Sequence, residues 1–181
     1  MNWANFVTYT RIALIPVVVG LYFSAWQWGS LAAALIFAIA SFTDWLDGFL
    51  ARKLNQTTDY GAFIDPVADK LLVVVVLIFL VAMYPALWIA TGIIVAREIL
   101  VSALREWMAS RSKRETVAVA FSGKLKTTIQ MIAIVLLLAG SPIVPEIIWQ
   151  GGYLLLNVAA LLSLWSMFQY FRSAWSTLTT E

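Results

Sequence analysis

Four aspartates have the side-chain type and the spacing that phosphate chemistry on metal ions requires. Asp44 and Asp47 are three positions apart, and Asp65 and Asp69 are four apart. On an α-helix, both spacings place the two carboxylates on one face. The short stretch between the pairs predicts neighbouring antiparallel helices whose carboxylates face each other. Because such carboxylates repel one another, we expect two divalent cations between them, and two cations suit transfer at a phosphate by holding the attacking and leaving oxygens.

Each aspartate taken alone also has a structural interpretation. Asp65 precedes Pro66, an arrangement typical of a residue that caps the N-terminus of a helix. Lys70 is placed to form an ion pair with Asp69. This alternative accounts for single aspartates better than it accounts for all four together.

Two absent residue types narrow the chemistry. The sequence contains no Cys and no His, which excludes disulfides, thiol nucleophiles and imidazole acid–base catalysis. A metal ion must therefore be held by oxygen ligands, which favours magnesium, calcium or manganese.

The elements that carry the aspartates are predicted to be transmembrane helices. Of the 181 residues, 62% are hydrophobic and 12% are charged, which excludes both a soluble domain and a disordered chain. A spanning helix needs about 20 mostly apolar residues. Six apolar runs are present, at about 12–28, 30–50, 65–83, 86–101, 127–139 and 152–170. We predict an all-α integral membrane protein with six transmembrane helices, its catalytic domain at 11–175 and a C-terminal tail at 176–181.

The distribution of charge predicts the orientation. The links at 28–30 and 84–85 carry no charge and the link at 140–151 carries only Glu146, whereas nearly all Lys and Arg residues lie at the opposite helix ends. Positive residues collect on the cytoplasmic side, so both termini are predicted to be cytoplasmic. Residues 1–10 carry aromatic side chains at every third position, which predicts a short amphipathic helix in the membrane interface.

The aspartates belong to a longer pattern that resembles the signature of the CDP-alcohol phosphatidyltransferase family. It fixes eight residues over 26 positions, Asp44-x2-Asp47-Gly48-x2-Ala51-Arg52-x8-Gly61-x3-Asp65-x3-Asp69. The segment Asn5-x2-Thr8-x2-Arg11 resembles the family's approach to its first helix. Three further segments are similar to the bacterial branch that uses glycerol 3-phosphate: 65–70, 96–98 and 123–127.

The resemblance implies an activity and a setting. Family members transfer a phosphatidyl group from a CDP-linked lipid to an alcohol and release CMP, with magnesium or manganese, in a six-helix fold whose polar cavity opens to the cytoplasm. For this chain it implies CDP-diacylglycerol as donor and sn-glycerol 3-phosphate as acceptor. It also implies a homodimer among the lipids of the bacterial cytoplasmic (inner) membrane, without a nucleic-acid partner.

The resemblance also assigns residues on the donor side. The four aspartates would hold two Mg²⁺ or Mn²⁺ ions at the pyrophosphate, and Asp69 would be the base, with Asp65 as the second catalytic carboxylate. The nucleotide pocket would be formed by six residues, Asn5, Thr8, Gly48, Ala51, Arg52 and Gly61.

A basic group is the candidate site for the acceptor phosphate: Arg97, Arg105, Lys124 and Lys126. Arg97 lies deep in the fourth span, where an arginine is expected to face a cavity or a partner. The alternative for Arg97 is a simple pair with Glu98. For the other three cations, the alternative is anchoring at the level of the lipid headgroups.

Several functions remain open from the sequence alone. Serine, inositol phosphate or phosphatidylglycerol could replace glycerol 3-phosphate as the acceptor. Membrane prenyl transfer also uses aspartate-rich motifs and magnesium, but with different motif spacing and more spans. A divalent-cation transporter is a third class, although transporter sites lie near the bilayer midplane rather than at the cytoplasmic side.

Overall fold

The computed structural model describes residues 3–54, 59–110 and 121–179, and within them the side chains of 9–43, 67–68, 70–108 and 125–175. The described residues are helical, with no strand among them. The six helices are α1 Trp3–Tyr22, α2 Gly29–Leu54, α3 Asp59–Met83, α4 Trp88–Ser110, α5 Phe121–Ala139 and α6 Glu146–Thr179. A single 3₁₀ turn, Pro85–Leu87, precedes α4.

The helices extend beyond the apolar runs from which they were predicted. α1 is continuous from Trp3, so the segment predicted as a separate interfacial helix is its first part. α3 begins at Asp59, six residues before the predicted start, and α6 reaches Thr179 over 34 residues. Helical hydrogen bonds lie within the backbone, so a helix can continue where its side chains become polar.

Five helix pairs supply most of the packing. α5 packs along α6, α4 along the other half of α6, and α1 against both α2 and α3. α2 also packs against α5. Over the described residues, α2 and α3 touch each other little, and the ends at which the aspartate pairs are predicted to face each other lie outside the described side chains. Their shared neighbour α1 holds both helices in the bundle.

Two clusters of buried apolar side chains form the interior. The larger one draws on all six helices and includes Phe37, Leu77 and Leu137. The smaller one joins the later parts of α4 and α6 and consists of Val101, Leu104, Met108, Tyr170 and Ala174. The smaller cluster therefore buttresses the ends of these two helices separately from the main core.

A close approach defines the corner between α1 and α2. A Cβ atom at Gly29 would collide with the carbonyl oxygen of Leu21 and the hydroxyl of Ser24. Only glycine lets the start of α2 lie this close to the end of α1.

Two helices of the described chain are long and apolar enough to cross a membrane, Pro85–Met108 and Glu146–Trp175. Four shorter apolar stretches lie in the other helices: Tyr9–Tyr22, Gly29–Thr43, Lys70–Met83 and Leu125–Ala139. Large apolar side chains cover the outside of the bundle, and Leu35, Ile78, Ile99 and Leu161 are each more than half exposed. Such a surface is expected where the surroundings are lipid, while the number of spans remains a prediction.

Candidate active site

A polar cavity of about 230 Å³ lies between α3, α4, α5 and α6. Its walls include apolar side chains from the main core, such as Val73 and Ile94. Its polar lining comes mainly from six residues: Lys70, Arg97, Glu98, Arg105, Gln130 and Tyr170. A cavity with room for several water molecules inside an otherwise apolar bundle, with several charged groups facing it, has the form of a site for a small polar ligand.

Glu98 joins two buried cations at the edge of this cavity. Arg97 donates from Nη1 to Glu98 Oε1 at 2.9 Å, and Lys126 donates from Nζ to the same oxygen. Arg97 also donates from Nη2 to the hydroxyl of Ser166 on α6 at 2.9 Å. The side chain of Lys126 is 1% exposed. Charges this deep are costly unless they are paired, so these bonds hold α4, α5 and α6 in register.

Lys70 enters the cavity from α3. It donates to the hydroxyl of Ser102, which in turn donates to the backbone carbonyl of Glu98 at 2.6 Å. This bond ties α3 to α4 near the Glu98 cluster. Lys70 therefore belongs to the cavity, a role that the sequence did not suggest.

Tyr170 on α6 supports two arginines. Arg105 donates to its hydroxyl at 2.5 Å, and the Arg105 guanidinium lies 5.0 Å from the centre of the ring. The Arg97 guanidinium lies 5.7 Å from the same ring centre. A cation over an aromatic face is attracted by the negative charge of the ring, so one side chain orients both guanidinium groups.

The cavity carries an excess of positive charge. Among the described residues, four cationic side chains lie in or beside it, Lys70, Arg97, Arg105 and Lys126, and Glu98 is the carboxylate among them. An unbalanced group of cations favours an anionic ligand, and a phosphate can accept several of their hydrogen bonds at once.

The structure brings three of the four predicted acceptor-site cations together. Arg97, Arg105 and Lys126 meet at the cavity, whereas the side chain of Lys124 lies outside the described set. The burial of Lys126 does not fit a headgroup anchor. Arg97 combines both sequence interpretations, since it faces the cavity and also pairs with Glu98.

Two polar cavity residues that lie on apolar helices were not among the predicted site residues. Gln130 lies one helical turn after Lys126, and Tyr170 lies one turn after Ser166. This four-residue spacing of polar side chains was the available signal. The spacing is a weak indication of a cavity, because nothing in a single sequence shows that the two helices face the same space.

The four aspartates lie on the two helices predicted for them. Asp44 and Asp47 are in the later part of α2, and Asp65 and Asp69 are in the first half of α3. Since α3 begins at Asp59, Asp65 is inside the helix, and its interpretation as an N-cap is wrong.

Position 69 lies one helical turn before Val73, which lines the cavity, and directly precedes Lys70. The predicted metal site is therefore adjacent, along α3, to the cationic cavity. The side chains of all the aspartates and of the predicted nucleotide residues Asn5, Thr8, Gly48, Ala51, Arg52 and Gly61 lie outside the described set. Their facing arrangement stays a prediction.

An aspartate pair on α2 and a second pair on α3, the helix that borders the cationic cavity, fit a protein that carries out phosphotransfer with metal ions. The model of the CDP-alcohol phosphatidyltransferase family matches residues 1–168, and the chain belongs to this family. It is 48% identical over 176 residues to a CDP-diacylglycerol–glycerol-3-phosphate 3-phosphatidyltransferase of Pectobacterium atrosepticum, covering 96% of this chain and 94% of that protein. It is 46% identical over 182 residues to the protein of the same name from Escherichia coli K12, covering 99% and 98% of the two chains.

Proposed function

We infer that this protein transfers the phosphatidyl group of CDP-diacylglycerol to sn-glycerol 3-phosphate, giving phosphatidylglycerophosphate and CMP. The observation that carries this inference is the cationic cavity beside position 69 of α3. This cavity would place an anionic acceptor next to the aspartates of the donor site. The names of the relatives from Pectobacterium and Escherichia point to the same two substrates.

On the donor side, Asp44, Asp47, Asp65 and Asp69 would hold two divalent cations. A set of carboxylates in a chain without Cys or His fits Mg²⁺ or Mn²⁺, and family members depend on divalent metal. Bound there, the cations would neutralise the pyrophosphate and stabilise CMP as the leaving group. The six nucleotide residues assigned by resemblance complete the donor site: Asn5, Thr8, Gly48, Ala51, Arg52 and Gly61.

On the acceptor side, the phosphate of glycerol 3-phosphate would be held by the cavity cations. Arg97 and Arg105 offer planar guanidinium groups suited to paired hydrogen bonds with phosphate oxygens. Lys126 and Lys124 add charge from α5. Because a dianion replaces part of the attraction that Glu98 supplies, the acceptor can enter without leaving the buried cations unpaired.

The reaction is an exchange of one phosphorus–oxygen bond for another. The primary hydroxyl of the acceptor forms a bond to the phosphorus that carries diacylglycerol, and the bond from that phosphorus to the oxygen of CMP breaks. Asp69 accepts the hydroxyl proton, and Asp65 helps to orient the reacting groups. Arg97 and Arg105 position the acceptor so that its hydroxyl points towards the aspartates.

We infer a six-span membrane protein with both termini and the active site on the cytoplasmic side of the bacterial inner membrane. The two membrane-capable helices, the four shorter apolar stretches and the exposed apolar surface support this arrangement. Residues 1–10 would lie at the membrane interface as the first part of α1. A homodimer, as in other family members, completes the proposal.

The deciding experiment measures CMP release by the purified protein in detergent with CDP-diacylglycerol and Mg²⁺. Glycerol 3-phosphate, serine, inositol phosphate and phosphatidylglycerol are offered separately. We expect release with glycerol 3-phosphate alone. Release with another acceptor would overturn the acceptor assignment, and a folded protein that releases no CMP would instead favour a transporter of divalent cations.

Substitution of the motif aspartates tests the metal site. Asp44→Asn, Asp47→Asn, Asp65→Asn and Asp69→Asn remove one negative charge each with little change in shape, and we expect each to lower kcat by at least about 100-fold. Asp59→Asn is the matched control because Asp59, at the start of α3, is not one of the eight fixed residues of the motif, and it should keep wild-type activity. Full activity in any motif variant would contradict the two-metal assignment.

A further inference from the structure

We propose that Gln130 on α5 hydrogen-bonds a hydroxyl group of the acceptor and thereby selects a phosphorylated polyol. This proposal rests on the proposed function, since it assigns a specificity residue within the acceptor cavity. It concerns a hydroxyl group of the acceptor, whereas the cations of the cavity would bind the phosphate.

Gln130 is a buried amide in the wall of the cavity. It lines the cavity and is 3% exposed. Its side-chain Oε1 has no hydrogen-bond partner within the described part of the chain. A buried amide that leaves a hydrogen bond unmade destabilises a protein, whereas Leu or Met would pack at this position without that cost. A ligand in the cavity that supplies the missing bond accounts for the side chain.

The position of Gln130 relative to the cations indicates which part of a ligand it meets. It lies one turn beyond Lys126, or about 6 Å along the axis of α5, and Lys126 shares the carboxylate of Glu98 with Arg97. A phosphate bound by these cations would place the atoms next to the phosphate within reach of Gln130.

The chemistry of the amide selects among the groups that could lie there. An amide carries both hydrogen-bond donors and an acceptor, as a hydroxyl does. A second anionic group could use only the donors, and a methylene could use neither. The ligand class that satisfies both the cations and Gln130 is a small phosphate ester with a free hydroxyl beside the phosphate-bearing carbon.

The test compares two acceptors that differ by one hydroxyl. Glycerol 3-phosphate has a middle hydroxyl, whereas 3-hydroxypropyl phosphate keeps the reacting primary hydroxyl and the phosphate but has hydrogen at the middle carbon. With the wild-type protein we expect kcat/KM to be at least about 10-fold higher for glycerol 3-phosphate, as for the loss of one buried hydrogen bond. With Gln130→Met the ratio should fall close to one, through loss of activity towards glycerol 3-phosphate.

Ile132→Leu is the matched control, since Ile132 lies on the same helix but is exposed on the outside of the bundle, and it should keep the wild-type ratio. An unchanged ratio in Gln130→Met would overturn the proposal. So would equal use of the two acceptors by the wild-type protein, a result that does not depend on whether the variant folds. A wild-type protein that uses neither acceptor would refute the proposed function itself rather than the role of Gln130.

Discussion

At the scale of single residues, Glu98 is the one on which the cavity depends. One oxygen of its carboxylate accepts hydrogen bonds from both Arg97 and Lys126, and these are among the most deeply buried charges of the described chain. Glu98 thus acts as an internal counter-ion in the absence of substrate.

Replacing Glu98 by Gln should destabilise the protein by removing this counter-ion. Breaking a buried ion pair at one partner leaves the other charges uncompensated, and we expect a loss of about 3 kcal/mol in the free energy of unfolding. Unfolding in detergent measures this loss, and added inorganic phosphate should restore more stability to the variant than to the wild type. Glu106→Gln, an exposed change on the same helix, should have little effect. If phosphate stabilised Glu98→Gln and the wild type equally, this would contradict the binding of an anion by the cations of the cavity.

Single residues differ in how clearly the sequence predicted their place in the cavity. The depth of Arg97 in an apolar run predicted a cavity or a partner, because a guanidinium facing lipid at that depth is energetically costly. Gln130 and Tyr170 carried no such signal, since a single amide or phenol in an apolar helix costs far less than a charge. Only the packing of α5 and α6 brings them to the same cavity as Arg97.

At the scale of elements, the contact between α5 and α6 sets the position of the cavity wall. A Cβ atom at Gly152 would lie 3.0 Å from the Cβ of Leu136, the Cγ of Leu137 and the backbone nitrogen of Leu137. A backbone atom cannot be displaced as easily as a side chain. The two helices therefore pack closely because α6 has a glycine at this point.

We expect Gly152→Ala to lower the free energy of unfolding by about 1–3 kcal/mol, as for overpacking of a tight interface. Gly92→Ala on α4 is the matched control, because nothing lies within 4 Å of a Cβ there. The control should be neutral or stabilising by up to about 1 kcal/mol through helix propensity. Thermal or denaturant unfolding of the two variants in detergent gives the comparison. Equal stability of the two variants would show that the α5–α6 contact has room for a Cβ atom at position 152.

The six helices were predicted from the sequence, but their full lengths were not. Apolar periodicity located all six helices, because each needs a long run of side chains compatible with lipid or core. It missed the parts of α3 before Asp65 and of α6 after Tyr170. Those parts carry mixed polar and apolar side chains, so their composition does not mark them as part of an apolar run.

At the scale of the whole molecule, the inferred orientation in the membrane can be tested on a natural cysteine-free background. We expect Gln27→Cys and Pro142→Cys to react with a membrane-impermeant maleimide in intact cells. Glu106→Cys and Arg172→Cys should react only after the cells are permeabilised. Gln27 and Pro142 are exposed in the links between helices, and Glu106 and Arg172 are exposed in the later parts of α4 and α6. Labelling of Glu106→Cys in intact cells would reverse the assigned orientation, and the unsubstituted protein is the control for background labelling.

The length of α6 has a kinetic consequence for the proposed enzyme. Its 34 residues span about 51 Å, whereas the hydrocarbon layer is about 30 Å thick. About 20 Å of the helix therefore extends beyond the lipid tails, and Tyr170 lies in its last third. In the proposed orientation, the acceptor would enter the cavity beside Tyr170 from water, while the donor would stay dissolved in the bilayer. The rate then depends on the acceptor's concentration in water but on the donor's surface concentration in the membrane. Diluting the donor with inert lipid therefore slows the reaction even when the total donor in the sample is constant.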